Sequence, residues 1–457
     1  MPLARNLMPE RIMPDHFDPD PRLQALLDRL TGYYPRGIDP GLERTLRLLC
    51  DLGNPHLSLP PVIHVAGTNG KGSIVAYLRA ILEHAGLICH IMTSPHLVRF
   101  NERLVVSGRE METDEIITLF DEVEAVNNGQ ETTSFELITA AGFLAFSRNP
   151  ADVVLLEVGM GGRYDATNVV RDPLLSIISV ISRDHTKFLG TEFEQIAFEK
   201  GGIIKPEAPC IVSPQIHGEV FSVFEEIASE KSAPLMMFGK EWSFDVLPES
   251  MILHLEDNLF ELPLPNLIGA HQVQNAATAA VAALQVTDQF IEPVKLSDIE
   301  YGLTHAKWPA RLQKIERGPL LSLLPFGYEL WIDGGHNDSC GQVLARQARK
   351  WHAEDGKSLH LVLGMLNTKT PLEFYDPLSS CVDSTSCITI PDQPLSLSSE
   401  DLQNILQAGC PDKASTIHAV SDLRGAIEHI IRGSHASCRI LVTGSLYLMG
   451  AVLRDHQ

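Results

Sequence analysis

The run Val62-Ile-His-Val-Ala-Gly67-Thr68-Asn69-Gly70-Lys71-Gly72-Ser73 passes from a β-branched stretch through a glycine-rich turn. It continues into an amphipathic pattern, Ile74, Leu78, Ile81, Leu82 and Ala85, that stops at Gly86. A strand, a glycine turn and a helix N-terminus are what phosphate binding needs. The glycines let backbone N–H groups close on an anion, the helix end is positive, and Lys71 can reach the outer phosphates. The spacing departs from the usual G-x-x-x-x-G-K-[ST], with two residues between Gly67 and Gly70 and an extra glycine before Ser73. The plain alternative is a turn that only links strand to helix.

Another apolar run ends at Glu157 and is followed by Val-Gly-Met-Gly-Gly162. This sets a carboxylate at the carboxyl edge of a sheet, where open α/β sheets bind ligands. An acid there can hold the Mg²⁺ of a bound nucleotide, or it can serve as a cap or ion-pair partner. A further run ends in Arg183-Asp184-His185, which makes His185 a candidate ligand beside a carboxylate. Lys200 poses a different problem. Thr191 and Glu194 fit a T-x-x-E capping box that starts a helix near residue 192. Helical spacing then aligns Lys200 with Phe193, Ile196 and Ala197, while Glu192, Gln195 and Glu199 point away. An amine on an apolar face must snorkel, pair with a carboxylate or lose its charge. A depressed pKa would leave it a nucleophile or a modifiable amine near the phosphates.

Short Val/Ile/Leu runs alternating with helical patterns predict the α/β scaffold that positions these groups: a parallel sheet covered by helices. Expected strands are Val62–Val65, Leu87–Met92, Val153–Glu157, Leu175–Ile181 and Pro209–Val212. Before them, Asp39 suits an N-cap, Pro40 a first turn, Leu42, Leu46 and Leu49 one face, and Gly53 the stop of an amphipathic helix. Residues 233–268, with Trp242, Phe244 and Val246 in alternation, read as antiparallel β structure, and His271–Leu284 as a small-residue helix. A second α/β series begins near Trp308, with strands at Leu330–Ile332, Leu359–Leu363, Cys387–Ile390 and Ile440–Val442, which places a boundary between Thr304 and Pro309.

The chain has 457 residues, enough for two or three domains with sizeable cores. With 36 Lys and Arg against 58 Asp and Glu, its net charge of −22 disfavours nucleic acid and anionic membranes as partners. Anionic small molecules are not excluded, because a few basic groups and helix ends can build a local positive site. Eight scattered cysteines with no C-x-x-C pair read as buried thiols of a reducing compartment. Residues 1–22 read as a disordered leader without a signal-peptide core. No run reaches the roughly 18 apolar residues of a membrane span. The expectation is a cytoplasmic protein.

Taken together, several spaced motifs resemble the folylpolyglutamate synthase and dihydrofolate synthase family, within the Mur ligase group. They are Gly67–Ser73; Thr93-Ser-Pro-His-Leu97 with Arg99, Glu102 and Arg103; and Glu157-Val-Gly-Met-Gly-Gly-Arg163-Tyr-Asp165-Ala-Thr-Asn168. Further matches are Asp184-His185, Glu199-Lys200, His271-Gln272 with Asn275, Trp308-Pro-Ala-Arg311, Asp333-Gly-Gly-His336-Asn337 and Thr443-Gly-Ser445-Leu-Tyr447. The resemblance implies an ATP-dependent ligase that joins a pterin-bearing carboxylate to the amine of L-glutamate through an acyl phosphate. It also implies a P-loop ATPase domain with a small β subregion and a pterin site (23–305), then a Rossmann-like glutamate-ligase domain (306–457).

Carried over by motif, Thr68, Asn69, Gly70, Lys71, Gly72 and Ser73 would hold the ATP phosphates, with Asn275, Arg311 and Asp333 on the nucleotide. Ser94, Glu157 and His185 resemble metal ligands for Mg²⁺, two ions being expected, with a monovalent cation as a further candidate. Lys200 matches a lysine this group often carries as a carbamate, which would turn a buried cation into an anion. The usual P-loop rule would assign the metal to Ser73; the family pattern favours Ser94. For the pterin the resemblance points to Gly37, Ile38, Asp39 and Pro40, to Thr133, Ser134, Phe135 and Glu136, and to Tyr164, Asp165 and Ala166. His336 and Ser445 match glutamate-binding positions. Departures from the family pattern are Pro40 for leucine, Gly201 for alanine, Ala310 for glycine and Gly335 for alanine; Thr370, often aspartate in relatives, receives no role. The leading reading is a monomeric bifunctional enzyme making dihydrofolate and extending folates. Its rivals are a synthase that only extends folates, a peptidoglycan-precursor ligase, and a nonenzymatic nucleotide-binding regulator.

Overall fold

Apolar runs that alternate with helices bury both faces of their strands, and two parallel-type sheets form the frame. The computed structural model describes residues 17–33, 40–434 and 436–454. The first sheet holds β1 (Val62–Ala66), β2 (Cys89–Met92), β3 (Leu104–Val106), β4 (Arg109–Glu110), β5 (Val153–Glu157), β6 (Leu175–Ile178), β7 (Cys210–Val212) and β8 (Leu235–Met237). Their order is β4-β3-β2-β5-β1-β6-β7-β8, parallel except at the β2/β3 and β3/β4 pairs. β1 lies between β5 and β6, so the segments leaving all three strands meet at one carboxyl edge. A small antiparallel sheet follows, with β9 (Trp242–Val246), β10 (Ser250–Leu255) and β11 (Asn258–Pro263).

The last sheet comprises β12 (Gln313–Lys314), β13 (Glu329–Asp333), β14 (Ser358–Leu363), β15 (Ser384–Cys387), β16 (Ile417–Ala419) and β17 (Cys438–Thr443). Its order is β12-β13-β17-β14-β15-β16, with only the β12/β13 pair antiparallel. In the first sheet, one face is covered by the helices Lys71–His84, Ala270–Val286 and Leu296–His305, and the other by Pro21–Gly32, Thr113–Asn127 and Ser134–Arg148. The alanines from Ala276 to Ala283 are fully buried, which lets the helix Ala270–Val286 lie close against its neighbours. Among the described residues no helix is long and apolar enough to cross a membrane.

Several expectations need correction. The leader does not extend to residue 22: Asp20 caps a helix that begins at Pro21, and buried Asp18 accepts the Phe100 N–H at 2.6 Å. The next helix begins at Glu43 rather than at Pro40, and its inward face is Thr45, Leu48 and Leu49, with Leu46 exposed. The expected Asp39 cap lies outside the described residues. Leu235–Met237 joins the parallel sheet instead of the antiparallel one, and the strand expected at Cys387–Ile390 runs from Ser384 to Cys387. All eight cysteines are free, but only Cys89, Cys210, Cys387 and Cys438 are buried.

The connection between the sheets carries backbone strain. Ala310 (φ 59°) and Leu312 (φ 43°) are buried in the left-handed region. That region costs an L-residue about 1–2 kcal/mol, and glycine would remove the penalty while losing about 0.5–1 kcal/mol through its greater unfolded freedom. Ala310→Gly should therefore raise stability by about 0.5–1 kcal/mol. Thermal denaturation checks this, and a lower melting temperature would contradict it.

Candidate functional site

At the edge of β1 the chain turns through Gly67 (φ 143°) and Gly70 (φ 91°) into the helix Lys71–His84. Side chains are impossible at both turns. A Cβ on Gly67 would fall 1.8 Å from Ser179 Oγ, and one on Gly70 2.5 Å from Asn275 Oδ1. The extra Gly72 has its own reason: the Trp308 indole lies where a Cβ would reach it at 2.4 Å. The first N–H groups of the helix lack intrahelical acceptors and can serve an anion. Thr68 Oγ1 donates to the Ser182 carbonyl at 2.9 Å and accepts from the Ser182 N–H at 3.1 Å, which fixes the loop to the segment after β6.

Two amines converge on the Gly67 carbonyl: Lys71 Nζ at 3.1 Å and Lys200 Nζ at 2.9 Å. Lys200 is buried, as its helical phase predicted, on the helix Phe193–Gly201 beside Ile196 and Ala197. The helix is capped one residue later than expected, by a Glu192–Gln195 box rather than Thr191–Glu194. Burial, together with the charge of Lys71, lowers the Lys200 amine to about 7. Glu157 ends β5 and accepts the Ser94 N–H at 3.2 Å. Burial raises its pKa, opposed by Lys71, the Ser94 hydrogen bond and Arg311. Ser73 Oγ accepts from Gln272 Nε2 at 3.2 Å, and Gln272 Oε1 from Asn275 Nδ2 at 3.2 Å. The Ser73 hydroxyl is thus held inside the protein.

The segment after β6 meets the second sheet. Asp184 accepts from Lys369 Nζ at 2.5 Å and pairs with His336 Nε2 at 3.3 Å. Burial works against its charge, but His336, His185 and Lys369 hold its carboxyl well below the usual range. His185, at φ 51°, is lowered to about 4, chiefly by burial. At the end of β13, buried Asp333 accepts from the N–H groups of Gly335 (2.8 Å) and Leu312 (2.9 Å). Burial raises its pKa against the opposing charge of Arg311. Buried Ser445 follows β17 and accepts the Tyr447 N–H at 3.2 Å.

Of the expected pterin segments, Gly37, Ile38 and Asp39 lie outside the described residues, and Pro40 is exposed. Thr133 caps the helix Ser134–Arg148 in a box with Glu136, and Glu136 also takes the Arg44 guanidinium, with Nη2 at 2.9 Å. The Phe135 ring occupies the space a Cβ on Gly159 would need, at 2.5 Å. Asp165 caps the turn Ala166–Val169, accepting from Thr167 N (3.0 Å), Thr167 Oγ1 (2.5 Å) and Met160 N (2.8 Å). Tyr164 is exposed, and the Arg163 guanidinium lies over its ring and that of Phe198. Sequence reasoning missed Ser182, Ser339 and Lys369, and gave Asn337 a place in a motif but no role. A lysine just beyond β14 and an Asn three residues before Cys340, in N-cap position, were the available signals.

The fold and site define an α/β nucleotide-binding ligase of the Mur type. Residues 65–283 match the Mur ligase middle domain. The chain is 31% identical over 432 residues to the dihydrofolate synthase/folylpolyglutamate synthase of Bacillus subtilis, covering 91% of this chain and 95% of that one. It is 32% identical to the protein of the same name from Escherichia coli, covering 94% of each. Among solved structures, E. coli FolC in complex with DHPP and ADP superposes with a TM-score of 0.82 at 30% identity, over 98% of both chains. A bifunctional folylpolyglutamate synthase/dihydrofolate synthase with Mn, AMPPNP and L-glutamate bound gives 0.81 at 28% identity, over 94% of this chain and 97% of that one. The chain belongs to the dihydrofolate synthase/folylpolyglutamate synthase family of ATP-dependent ligases.

Beneath the turn Ala166–Val169, His64 on β1 bonds Thr167 Oγ1 through Nε2 at 2.9 Å, and burial lowers its imidazole to about 3. The unfolded chain takes up that proton near pH 6.5 and the folded chain does not, so stability falls as the pH drops from about 6.5 toward 3. Over that window the native protein should lose up to about 1.4 kcal/mol per pH unit more than His64→Gln. Parallel denaturation curves would contradict this.

Proposed function

We propose that the chain ligates L-glutamate to dihydropteroate, giving dihydrofolate, and to folates, extending their glutamate tails, with ATP as co-substrate. The convergence of Lys71 and Lys200 on Gly67, beside the strand-end carboxylate of Glu157, carries this reading. A carboxylate is a poor electrophile. Transfer of the γ-phosphoryl group makes an acyl phosphate, the glutamate amine attacks its carbonyl carbon, and phosphate leaves. The protein's part in phosphoryl transfer is positioning and charge neutralisation.

In this scheme the loop Thr68–Ser73 cradles the phosphates, Lys71 neutralises the outer ones, and Asn275, Arg311 and Asp333 hold the nucleotide. Among the described residues no three His, Cys, Asp or Glu side chains form a metal-binding group. A nucleotide-borne cation needs fewer protein donors, and the buried Glu157 carboxylate, the neutral His185 imidazole and the Ser94 hydroxyl suit that role. Mg²⁺, two ions in all, is the proposed metal; when bound it would draw charge from the transferring phosphoryl group. Lys200 is proposed as a carbamate. An amine lowered to about 7 is available to CO₂ at neutral pH, and the product anion would attract Lys71 where the ammonium repels it.

The acceptor would use residues 37–40, 133–136 and 164–166, where Thr133 and Asp165 also cap the elements that follow them. Residues 306–457 would act as the glutamate-ligase unit through His336 and Ser445, with the chain acting as a monomer. A monovalent cation is a further proposed activator.

Lys71→Ala should reduce ligation at least 100-fold with little loss of melting temperature, since loss of preorganised charge stabilisation costs about 10²–10³ in rate. Near-normal turnover would remove Lys71 from the chemistry. Lys200→Ala should lose most activity and regain part of it with added short carboxylates; full activity of Lys200→Arg would sink the carbamate.

The deciding experiment measures ATP-dependent glutamate incorporation into dihydropteroate and into tetrahydrofolate side by side. Both should be ligated, each inhibiting the other. Extension of tetrahydrofolate with dihydropteroate neither ligated nor inhibitory would leave folylpolyglutamate synthesis alone, the activity named for the relative from Lacticaseibacillus casei, 29% identical to this chain.

A further inference from the structure

The two sheets meet at the phosphate loop through a polar cluster around Asn69 whose other members, Ser182, Asn337 and Ser339, have no part in the ligase scheme. Asn69 Nδ2 reaches Asn337 Oδ1 (3.1 Å), Ser339 Oγ (2.7 Å) and Ser182 Oγ (3.2 Å). In return Asn337 Nδ2 donates to Asn69 Oδ1 at 3.2 Å, and Ser339 Oγ donates to Ser182 Oγ at 3.0 Å. Ser182, Asn337 and Ser339 are all buried. Asn337 also caps the helix Asp338–Asp355, accepting the Cys340 N–H at 3.1 Å.

A reciprocal amide pair tolerates little displacement, because each side chain is donor and acceptor to the other. The Asn69 side chain is therefore committed to this junction, and its backbone is engaged as well, its N–H by the Val180 carbonyl and its carbonyl by Ser179 Oγ, which leaves phosphate contacts to the residues that follow it. His336, the proposed glutamate residue, directly precedes Asn337. The cluster thus ties the loop that would activate one substrate to the turn that would hold the other.

We infer that Asn337 and Ser339 are positioning residues that hold the glutamate-binding turn in register with the phosphate loop through Asn69, so that the amine meets the acyl phosphate before water does. This rests on the ligase reading. If the register loosens, water attacks the acyl carbon in place of the amine, returning the free carboxylate and inorganic phosphate. ATP is then spent without product.

The test is the ratio of ADP formed to glutamate ligated, measured with tetrahydrofolate and ATP in the full-length protein. Ser339→Ala removes one hydroxyl from the cluster. Asn337→Asp keeps an oxygen to cap the helix but sets a second oxygen against Asn69 Oδ1. The native ratio should lie near one; both variants should raise it at least threefold and raise the KM for glutamate at least fivefold.

A smaller folded fraction would slow both outputs together and leave the ratio unmoved. A ratio that stays near one in folded variants overturns the inference, and if Asn337→Asp does not fold, Ser339→Ala alone decides. Failure of the native protein to ligate any folate would instead overturn the ligase reading.

Discussion

Two amines, the half-buried Lys71 and the buried Lys200, share one carbonyl acceptor, Gly67 O, at the edge of an α/β sheet. Burying like charges together is costly unless counter-charges or a change of protonation relieve it. Much of the site follows from that constraint. Glu157 offsets Lys71, Asp184 and Asp165 act on Lys200, and the Lys200 amine itself is lowered to about 7. A phosphate chain placed at the loop would supply the negative charge that this arrangement lacks, which is why the edge is suited to a nucleotide.

The acidic groups at this edge are held in different states by their surroundings. Burial raises Glu157, Asp165 and Asp333, whereas Asp184 stays well below the usual range because His336 and Lys369 supply it with donors and charge. Asp184 thus joins the two sheets through His336 and Lys369, which favour its charged form. The same junction holds the Asn69–Asn337 pair, so electrostatic and geometric restraints coincide where the two halves of a ligation reaction would be joined.

Small-residue departures from the family pattern have steric explanations. At Gly201 a Cβ would fall 2.6 Å from Ile227 Cδ1, and at Gly335 it would fall 2.9 Å from Cys340 Cβ. Glycine at these positions accommodates bulk contributed by other elements. Ala310 goes the other way, setting a Cβ on a left-handed backbone beside the connection that delivers Arg311.

The α/β class, most strands and the phosphate loop were legible in the sequence because they depend on local patterns. β-branched runs favour strands, and a glycine turn followed by Lys71 can be recognised without its surroundings. The apolar face of Lys200 was legible too, because helical spacing assigns it, while only the tertiary structure shows that the amine is buried rather than snorkelled to solvent. The reach of the leader, the start of the second helix and the capping of the Lys200 helix were misread. In each case several neighbouring residues could serve as cap and the local pattern does not rank them, while Asp18 is held by a distant partner, the Phe100 N–H. The partners of Ser182, Asn337, Ser339 and Lys369 across the junction could not be read from the chain. Each of them works through a partner on the other sheet, from Ser182 and Ser339, 157 residues apart, to Asn69 and Ser339, 270 apart. Sequence determined which groups could bind phosphate. Only the packing of one sheet edge against the other decided which side chains remain free to do so and which hold the halves together, because those hydrogen bonds exist only once distant segments meet.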